Sequence, residues 1–432
     1  MKLSRLTFKF DVGESSGILL YNSASGAMDM IGRDALAALE GKSEKELSEA
    51  TTAYLLQRGH LARSAAEDEE VVAAEYEKFK QREQTVSLRF VVIPTYRCNS
   101  RCAYCFLSNE LENGGLMEDD VMDSAFAAID RISAERGARS LKQLSVFGGE
   151  PLIDEPPQRR TIDRLLGMAA DRGLEIDFVT NGNDLAGYVP LLAKHGVHKV
   201  QVTFDGLEDY HNHRRRAVDR KGSSFGRIVA GIDAALTAGV NVNARIHLTK
   251  ENVDTLPQVA DFFQAKGWIG NPGFTSHIGT VFDCFRCMPE KETRRHLGPD
   301  EGNRRLMQAL DGRADVADML ELDWQGVRRL VTTGQFFPTT FRTCYGGSRT
   351  FAFDLYGGIY VCETTAGKPE YRVGDFHLEF AFNAHVNYGS IADAGCRKMS
   401  DALEYGLQFY WPRIDGEEEA PANTGCACSG RQ

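Results

Sequence analysis

The stretch LRFVVIPTYRCNSRCAYC, residues 88–105, joins an apolar run to three closely spaced cysteines. Leu88–Pro94 reads as a buried strand, and Cys98, Cys102 and Cys105 follow it in a C-x3-C-x2-C pattern. Further apolar runs recur at Leu141–Phe147, Leu174–Thr180, His198–Phe204, Val240–Leu248 and Gly273–Val281. Amphipathic stretches lie between them. Met117–Arg136 sets Val121, Ala125, Ile129 and Ile132 on one helical face. Thr161–Arg172, Tyr188–His195, Phe225–Ala238 and Glu251–Ala265 continue the alternation. Strand–helix units in series predict an α/β fold with a parallel sheet. Right-handed crossovers curl such a sheet into a full or partial barrel. Chemistry in such barrels sits at the C-terminal strand ends, where the three cysteines stand.

The flanks read differently. Residues 1–86 predict a small α+β unit. Leu6–Phe10 and Gly17–Tyr21 form a hairpin signal around a Gly-Ser turn. Helical stretches follow at Asp34–Leu39 and Ser43–Arg58, the second with Ser43 and Glu46 as a capping box. Ala66–Gln84 is charged and helical in pattern, a link to the barrel, which is expected over residues 87–283. Residues 284–432 are less regular and Cys-rich, with helical stretches at Asp300–Leu310 and Asp323–Thr332.

The chain has 432 residues, with 42% hydrophobic and 26% charged, as an ordinary globular protein does. Collagen-like, disordered and disulfide-scaffold classes are excluded. The net charge of −11 gives nucleic acid no electrostatic footing. No apolar run reaches the roughly 20 residues of a membrane helix, and the N-terminus lacks a secretory h-region. A cytoplasmic protein is expected, and in that compartment clustered cysteines hold metal or do chemistry.

Three thiolates on one loop suit three irons of a cubane cluster and leave the fourth iron open. The alternative, a zinc site, usually wants four closed ligands. On this loop the sequence resembles the radical S-adenosylmethionine (SAM) enzymes, and further segments carry the resemblance in order. Phe147-Gly148-Gly149-Glu150-Pro151 is similar to the family's GGE motif, Thr180-Asn181-Gly182 to its T-N-G segment, and Thr203-Phe204-Asp205-Gly206 to its S-x-D-G. His211 and Arg215 match an H-D-x-x-R segment in which Asn212 replaces Asp. Ser224, Phe225, Arg245 and Asn252 continue the pattern. The resemblance implies a partial (β/α)6 TIM-like barrel holding a [4Fe-4S] cluster on Cys98, Cys102 and Cys105. It implies SAM contacts from Tyr104, Gly148, Gly149, Glu150, Asn181, Thr203, Asp205 and Arg215. Arg214 and Arg216 compete with Arg215 for the SAM carboxylate.

The remaining cysteines are Cys284, Cys287, Cys344, Cys362, Cys396, Cys426 and Cys428. Cys344, Gly357 and Cys362 fit C-x12-G-x4-C, with a hairpin signal between them that turns at Tyr356-Gly357-Gly358. This resembles the auxiliary-cluster domain of SPASM and twitch proteins and implies one or two further [4Fe-4S] clusters. Cys344 and Cys362 are the firmest auxiliary ligands. Cys284, Cys287, Cys396, Cys426 and Cys428 complete the set, although the usual SPASM tail C-x2-C-x5-C-x3-C is absent.

The resemblance implies a peptide or protein maturase. A deoxyadenosyl radical abstracts hydrogen from a ribosomally made precursor, giving a thioether or other crosslink. The partners implied are that precursor and an electron donor such as flavodoxin or ferredoxin. Residues 1–86 resemble modules that grip a leader peptide along a strand edge; a simple cap over the barrel is the alternative. A second reading is a sulfatase-maturating, formylglycine-forming enzyme, with Glu363 as the base. A third, from another class, is a non-catalytic iron–sulfur or zinc protein.

Overall fold

The structure is a computed structural model. It describes residues 1–377 other than 12–16, 44, 86, 108–110, 112–113, 136–141, 219–222, 281–289, 298, 312, 321–328, 331, 337–348 and 362, and also 381–382. They fall into two compact units. One comprises Met1–Gln84 and the described part of Asp323–Thr343; the other comprises Thr85–Leu322 and the described residues beyond 344.

In the first unit, strands Thr7–Asp11, Ile18–Asn22 and Met28–Ile31 form an antiparallel sheet with the middle one central. The first two are the expected hairpin. The third was not foreseen, because four residues, MDMI, are too short to show a period. Helices Arg33–Leu39, Glu49–Gln57 and Ala65–Thr85 follow. Ile18, Leu20, Leu55 and Leu61 form a core against Leu36 and Leu39. The capping box expected at Ser43 and Glu46 is replaced by Ser48, whose Oγ accepts from Thr51 N at 3.1 Å. Ser43 is used in a local turn, accepting from Lys45 N at 3.1 Å. The Met28–Ile31 edge is partly covered by the chain itself. Ala27 bridges Gln335, and Phe336 N donates to Gly26 O at 2.6 Å.

The second unit is the expected alternation. Its strands are β1 (Leu88–Ile93), β2 (Lys142–Val146), β3 (Glu175–Thr180), β4 (Lys199–Thr203), β5 (Asn241–Leu248) and β6 (Phe274–Thr280). The intervening helices are α1 (Asp119–Glu135), α2 (Pro156–Ala170), α3 (Leu185–Lys194), α4 (Ser224–Thr237) and α5 (Leu256–Ala265). Each strand lies within two residues of its sequence expectation at either end. Helix α2 starts five residues earlier than Thr161 because Pro156 takes its first position, where proline's missing N–H costs nothing. The stretch from Glu251 is broken into a 3-10 turn, Val253–Thr255, before α5, whose first turn holds Pro257.

Four more strands follow: β7 (Thr350–Asp354), β8 (Gly358–Tyr360), β9 (Arg372–Asp375) and β10 (Ala381–Phe382). The sheet order is β6-β5-β4-β3-β2-β1-β7-β8-β9-β10, parallel from β6 to β7 and antiparallel beyond. β7 and β8 are the expected hairpin, with Gly357 at φ 79° in the turn. β7 pairs in parallel with β1 from Thr350–Arg89 to Asp354–Ile93, so the hairpin extends the barrel sheet. This is an α/β fold with a mostly parallel sheet, as a partial barrel requires. The expected helix Asp323–Thr332 lies largely outside the described residues. Among the described residues no helix is long and apolar enough to cross a membrane.

The sheet has two unlike faces. Ile176, Phe178, Val200, Val202, Val242 and Ala244 are buried on one. The other is polar: Gln201 pairs with Asn243 and Asn243 with Thr275, while Thr203 pairs with Arg245 and Arg245 with His277.

Candidate functional site

The loop after β1 carries Cys98, Cys102 and Cys105, free and half-buried. It is held by a short antiparallel pair. Ser100–Cys102 lies against Arg215–Ala217, with Cys102 opposite Arg215. Ala103 N donates to Arg214 O at 3.1 Å and Val218 N to Asn99 O at 2.9 Å, extending the clamp at both ends. The sequence reading named Arg215 for its charge; its backbone also shapes the cysteine loop.

The GGE segment grips the same loop from β2. Gly149 N donates to Thr95 O at 3.0 Å and Glu150 N to Arg97 O at 2.7 Å. A Cβ on Gly149 would stand 2.2 Å from the carbonyl oxygens of Tyr96 and Arg97, so the two backbones touch only because no side chain intervenes. Gly148 holds φ at 140° with a Cβ position 2.4 Å from Thr95 O, which again admits glycine alone.

Glu150 faces inward. Its carboxylate accepts from Thr180 Oγ1 at 2.6 Å, Asn181 N at 2.6 Å and Leu152 N at 2.9 Å, bracketing the ends of β2 and β3. Burial raises its pKa to about 7 against the pull of these donors. Asn181 then reaches the cysteine loop, donating to Asn99 Oδ1 at 2.7 Å and toward Cys98 Sγ at 3.8 Å. Asn183 Nδ2 donates to Ser100 Oγ at 2.8 Å, and Asn99 Nδ2 to Asp184 Oδ2 at 2.8 Å. The T-N-G segment and its two successors therefore form one wall of the loop.

The third wall comes from β4 and β5. Tyr104 donates its hydroxyl hydrogen to Asp205 and accepts from Arg215 Nη1 at 2.5 Å. His247 Nδ1 lies 3.1 Å from the Tyr104 hydroxyl and 3.2 Å from Asp205 Oδ1. Arg215 stands 3.9 Å from Asp205. Burial opposes the Asp205 charge, but the His247 hydrogen bond and the Arg215 guanidinium hold its carboxyl well below the usual range. Of the three neighbouring arginines, Arg216 is exposed. Arg214 is buried in an ion pair with Glu292 and lies over the Tyr104 ring at 5.3 Å. Thr203 ends β4 beside this layer, paired with Arg245.

Sequence reasoning missed Glu292 and His247. Nothing in EKET, residues 290–293, marks an acid that pairs 78 positions away. His247 had a signal, a polar residue in an apolar strand run. Two asparagines act as staples. Asn212 Oδ1 accepts from Ser224 Oγ at 2.9 Å and Phe225 N at 3.0 Å, bracing the first turn of α4 beside its N-cap Ser223. Asn252 Nδ2 donates to Asp205 O at 2.7 Å and His247 O at 2.8 Å, tying β4 to β5.

On the polar face, Glu363 accepts from Arg89 at 2.9 Å, and Arg89 also reaches Ser145 Oγ at 3.4 Å. The candidate base is thus an ion-paired side chain beside the barrel strands. A cavity of about 520 Å³ opens at the N-terminal end of β4–β6, lined by His198, Lys199, Gln201, Asn243 and His277.

The cysteine loop fits an iron–sulfur cluster. Cys98 Sγ accepts from Ser100 N at 3.4 Å, the kind of N–H contact that stabilises a ligating sulfur. Burial, reinforced by the Glu150 carboxylate, pushes the Cys98 thiol up to about 12, and burial also raises Cys102. Ionising these thiols therefore calls for a bound cation. Among the described residues, one trio of metal-ligating atoms, from Glu175, Asp177 and His198, lies within 4.8 Å of one another. The three thiols are set wider than that. Thiolates about 2.3 Å from one zinc ion are closer together, so the spacing suits a larger cluster. Cys284, Cys287, Cys344, Cys362, Cys396, Cys426 and Cys428 lie outside the described residues.

Residues 92–263 match the family described as the Radical SAM superfamily. That part of the chain is a radical SAM domain, an enzyme domain. Among curated relatives, the GTP 3′,8-cyclase of Rhizobium leguminosarum bv. trifolii is 29% identical over 175 residues, 40% of this chain and 47% of that protein. The probable GTP 3′,8-cyclase of Methanopyrus kandleri is 31% identical over 39% of this chain and 50% of that one. The chain thus spans about half the length of these relatives. Among solved structures, native anSMEcpe with bound AdoMet and Cp18Cys peptide superposes with a TM-score of 0.54 at 17% identity, over 71% of this chain and 82% of that one. Streptococcus suis SuiB bound to precursor peptide SuiA gives 0.51 at 15% identity, over 90% of both chains. At these identities the likeness is one of fold.

Proposed function

We propose, from the premise that residues 92–263 are a radical SAM domain, that this chain modifies a peptide or protein. The observation that carries the reading is the extent of the fold likeness to SuiB, 90% of each chain, which takes in residues on both sides of the barrel. SuiB is recorded with a precursor peptide and anSMEcpe with Cp18Cys peptide. The cyclase likeness covers 39–40% of this chain in the two relatives described and 62% of it, at 26% identity, in the GTP 3′,8-cyclase of Sinorhizobium medicae, less than the SuiB likeness in each case.

In this reading Cys98, Cys102 and Cys105 hold a [4Fe-4S] cluster, which with SAM supplies reductive cleavage to a deoxyadenosyl radical. The protein's own work is positional. Gly149 and Glu150 fix the approach to the cysteine loop, and Asn181 and Ser100 donate toward Cys98. Arg215, Tyr104, His247 and Asp205 form a hydrogen-bonded polar layer beside Cys102. That layer keeps the carboxylate of Asp205 ionised and its charge compensated. Hydrogen abstraction would leave a carbon radical on the substrate; bonding of a substrate thiol sulfur to that carbon would form the thioether with release of the thiol proton, the remaining electron passing to an auxiliary cluster for which Cys344 and Cys362 are the proposed ligands and the other outlying cysteines further ligands. A flavodoxin or ferredoxin supplies the electron, and the first unit offers the Thr7–Asp11 strand edge to a leader peptide.

The test is anaerobic incubation of reconstituted, reduced protein with SAM and a cysteine-containing candidate precursor peptide, should its gene neighbourhood encode one. A peptide mass lowered by two hydrogens supports the reading. SAM cleavage with unchanged peptide mass contradicts it. A second reading, GTP 3′,8-cyclisation, rests on the curated relatives; loss of GTP in the same incubation would favour it. Formylglycine formation is a third outcome, read as a sulfatase peptide whose cysteine becomes an aldehyde, with Glu363 as base.

A further inference from the structure

The polar face of the barrel sheet holds a guanidinium that has no hydrogen-bond or ion-pair partner among the described residues. Arg245 sits in the middle of β5, between Thr203 on β4 and His277 on β6. Its Nε is buried and without a hydrogen-bond partner. The neighbouring acids are already engaged. Asp205 is held by Tyr104, His247 and Arg215, and Glu363 by Arg89. Among the described residues, three guanidiniums, Arg89, Arg215 and Arg245, therefore face two carboxylates. The nearby imidazoles add no compensating charge: His277 is pushed down to about 4 by burial and by Arg245. A cation taken out of water without a counterion is costly, and such sites are normally completed by an anion.

The placement of Arg245 is built into the strand beyond it. Gly279 lies two residues past His277 on β6, toward the end of the sheet where the cysteine loop stands. A Cβ there would meet Arg245 Nε at 2.6 Å and Nη2 at 3.2 Å. The absence of a side chain at Gly279 gives the guanidinium its berth and turns it toward the Tyr104–Asp205–His247 layer.

We propose that Arg245 anchors an anionic oxygen group of the substrate, a carboxylate or a phosphate, inside the barrel and next to the reacting end. This deepens the functional reading above and rests on it for the word substrate. If the substrate is a peptide, the anchor takes an acidic side chain or a terminal carboxylate near the modified residue. If it is a nucleotide, the anchor takes a phosphate. The planar fork of arginine holds either in two parallel hydrogen bonds.

The experiment uses anaerobically reconstituted holoenzyme with saturating SAM, so that the site for SAM's own carboxylate is filled. Succinate and inorganic phosphate are titrated separately, and the melting temperature and the arginine Nε resonances are followed. The expected result is a saturable response to one of them in wild type that Arg245→Gln abolishes and Arg245→Lys weakens several-fold. Gly279→Ala, which keeps the charge but crowds the guanidinium, is expected to abolish it as well, and it tests the proposal if Arg245→Gln fails to fold. A response to succinate assigns a carboxylate; one to phosphate assigns a phosphate. No saturable response in wild type, or one that survives both Arg245→Gln and Gly279→Ala, overturns the proposal. So does a tenfold or greater loss of SAM affinity in Arg245→Gln with no anion response, which would give the guanidinium to SAM. No peptide turnover is needed, so failure here is separate from failure of the peptide-modifying reading.

Discussion

Removing the carboxylate of Glu292 should unseat the cysteine loop from a distance. Glu292 and Arg214 are 4% and 3% exposed at their side chains and form a buried ion pair. Arg214 also contributes its carbonyl to Ala103 N and its guanidinium to the face of Tyr104. Glu292→Ala leaves a buried guanidinium uncompensated, which costs about 3–5 kcal/mol. For a unit of this size that is a drop in melting temperature on the order of 10 °C. Replacing both partners by apolar residues, Arg214→Met with Glu292→Leu, removes the desolvation cost of both charges and should restore most of the loss. Anaerobic thermal unfolding by circular dichroism reads the stability, and iron bound after reconstitution reads the loop. Glu292→Ala is expected to lower both and the double variant to recover stability. If Glu292→Ala lies within 1 kcal/mol of wild type, or the double variant is worse than either single one, the pair does not hold the loop as described.

Gly149→Ala drives a Cβ into the carbonyls of Tyr96 and Arg97, so reconstituted iron should fall toward that of a protein lacking the three cysteines; iron equal to wild type would refute the contact. Asn212→Ala removes the acceptor for Phe225 N and Ser224 Oγ in the first turn of α4 and should cost about 1 kcal/mol in urea unfolding, with Asn212→Asp retaining most of the stability. His211 is buried, its Nδ1 accepts from Asp205 N at 3.3 Å, and burial lowers its pKa to about 4. Its depressed pKa gives stability that is present above the unfolded value near 6.5 and is lost as pH falls through 4, up to about 3 kcal/mol. His211→Gln should flatten the stability profile between pH 6.5 and 4; an unchanged slope would place the acid sensitivity elsewhere.

The barrel strands were legible in two ways: β1 writes a continuous apolar run, Phe90–Ile93, which is fully buried, while β3 and β4 alternate buried apolar residues with polar ones, as strands with one polar face do. The motif residues were legible because they close those runs: Glu150, Asn181, Thr203 and Asp205 all stand at or just past strand ends. What joins them was not. The pairing of Ser100–Cys102 with Arg215–Ala217 links two polar tripeptides more than a hundred residues apart, with no period in either. The engagement of Glu150 by Thr180 and Asn181 likewise depends on β2 and β3 being neighbours, which residue type alone does not state. The Ser43-x-x-Glu46 spacing is a strong local cap pattern, yet the helix begins where its first N–H groups find Ser48. Arg245 fitted the family pattern by position, and only the crowding at Gly279 showed where its guanidinium goes.

The central claim is that the loop of residues 98–105 carries the cluster that cleaves SAM. The most direct measurement is 5′-deoxyadenosine formed under dithionite by anaerobically reconstituted wild type and by the Cys98→Ala, Cys102→Ala, Cys105→Ala triple variant, with Mössbauer spectra of both. Deoxyadenosine from wild type alone, with loss of one cubane in the variant, is the predicted result. Deoxyadenosine from the triple variant, or an unchanged cluster content, would contradict it.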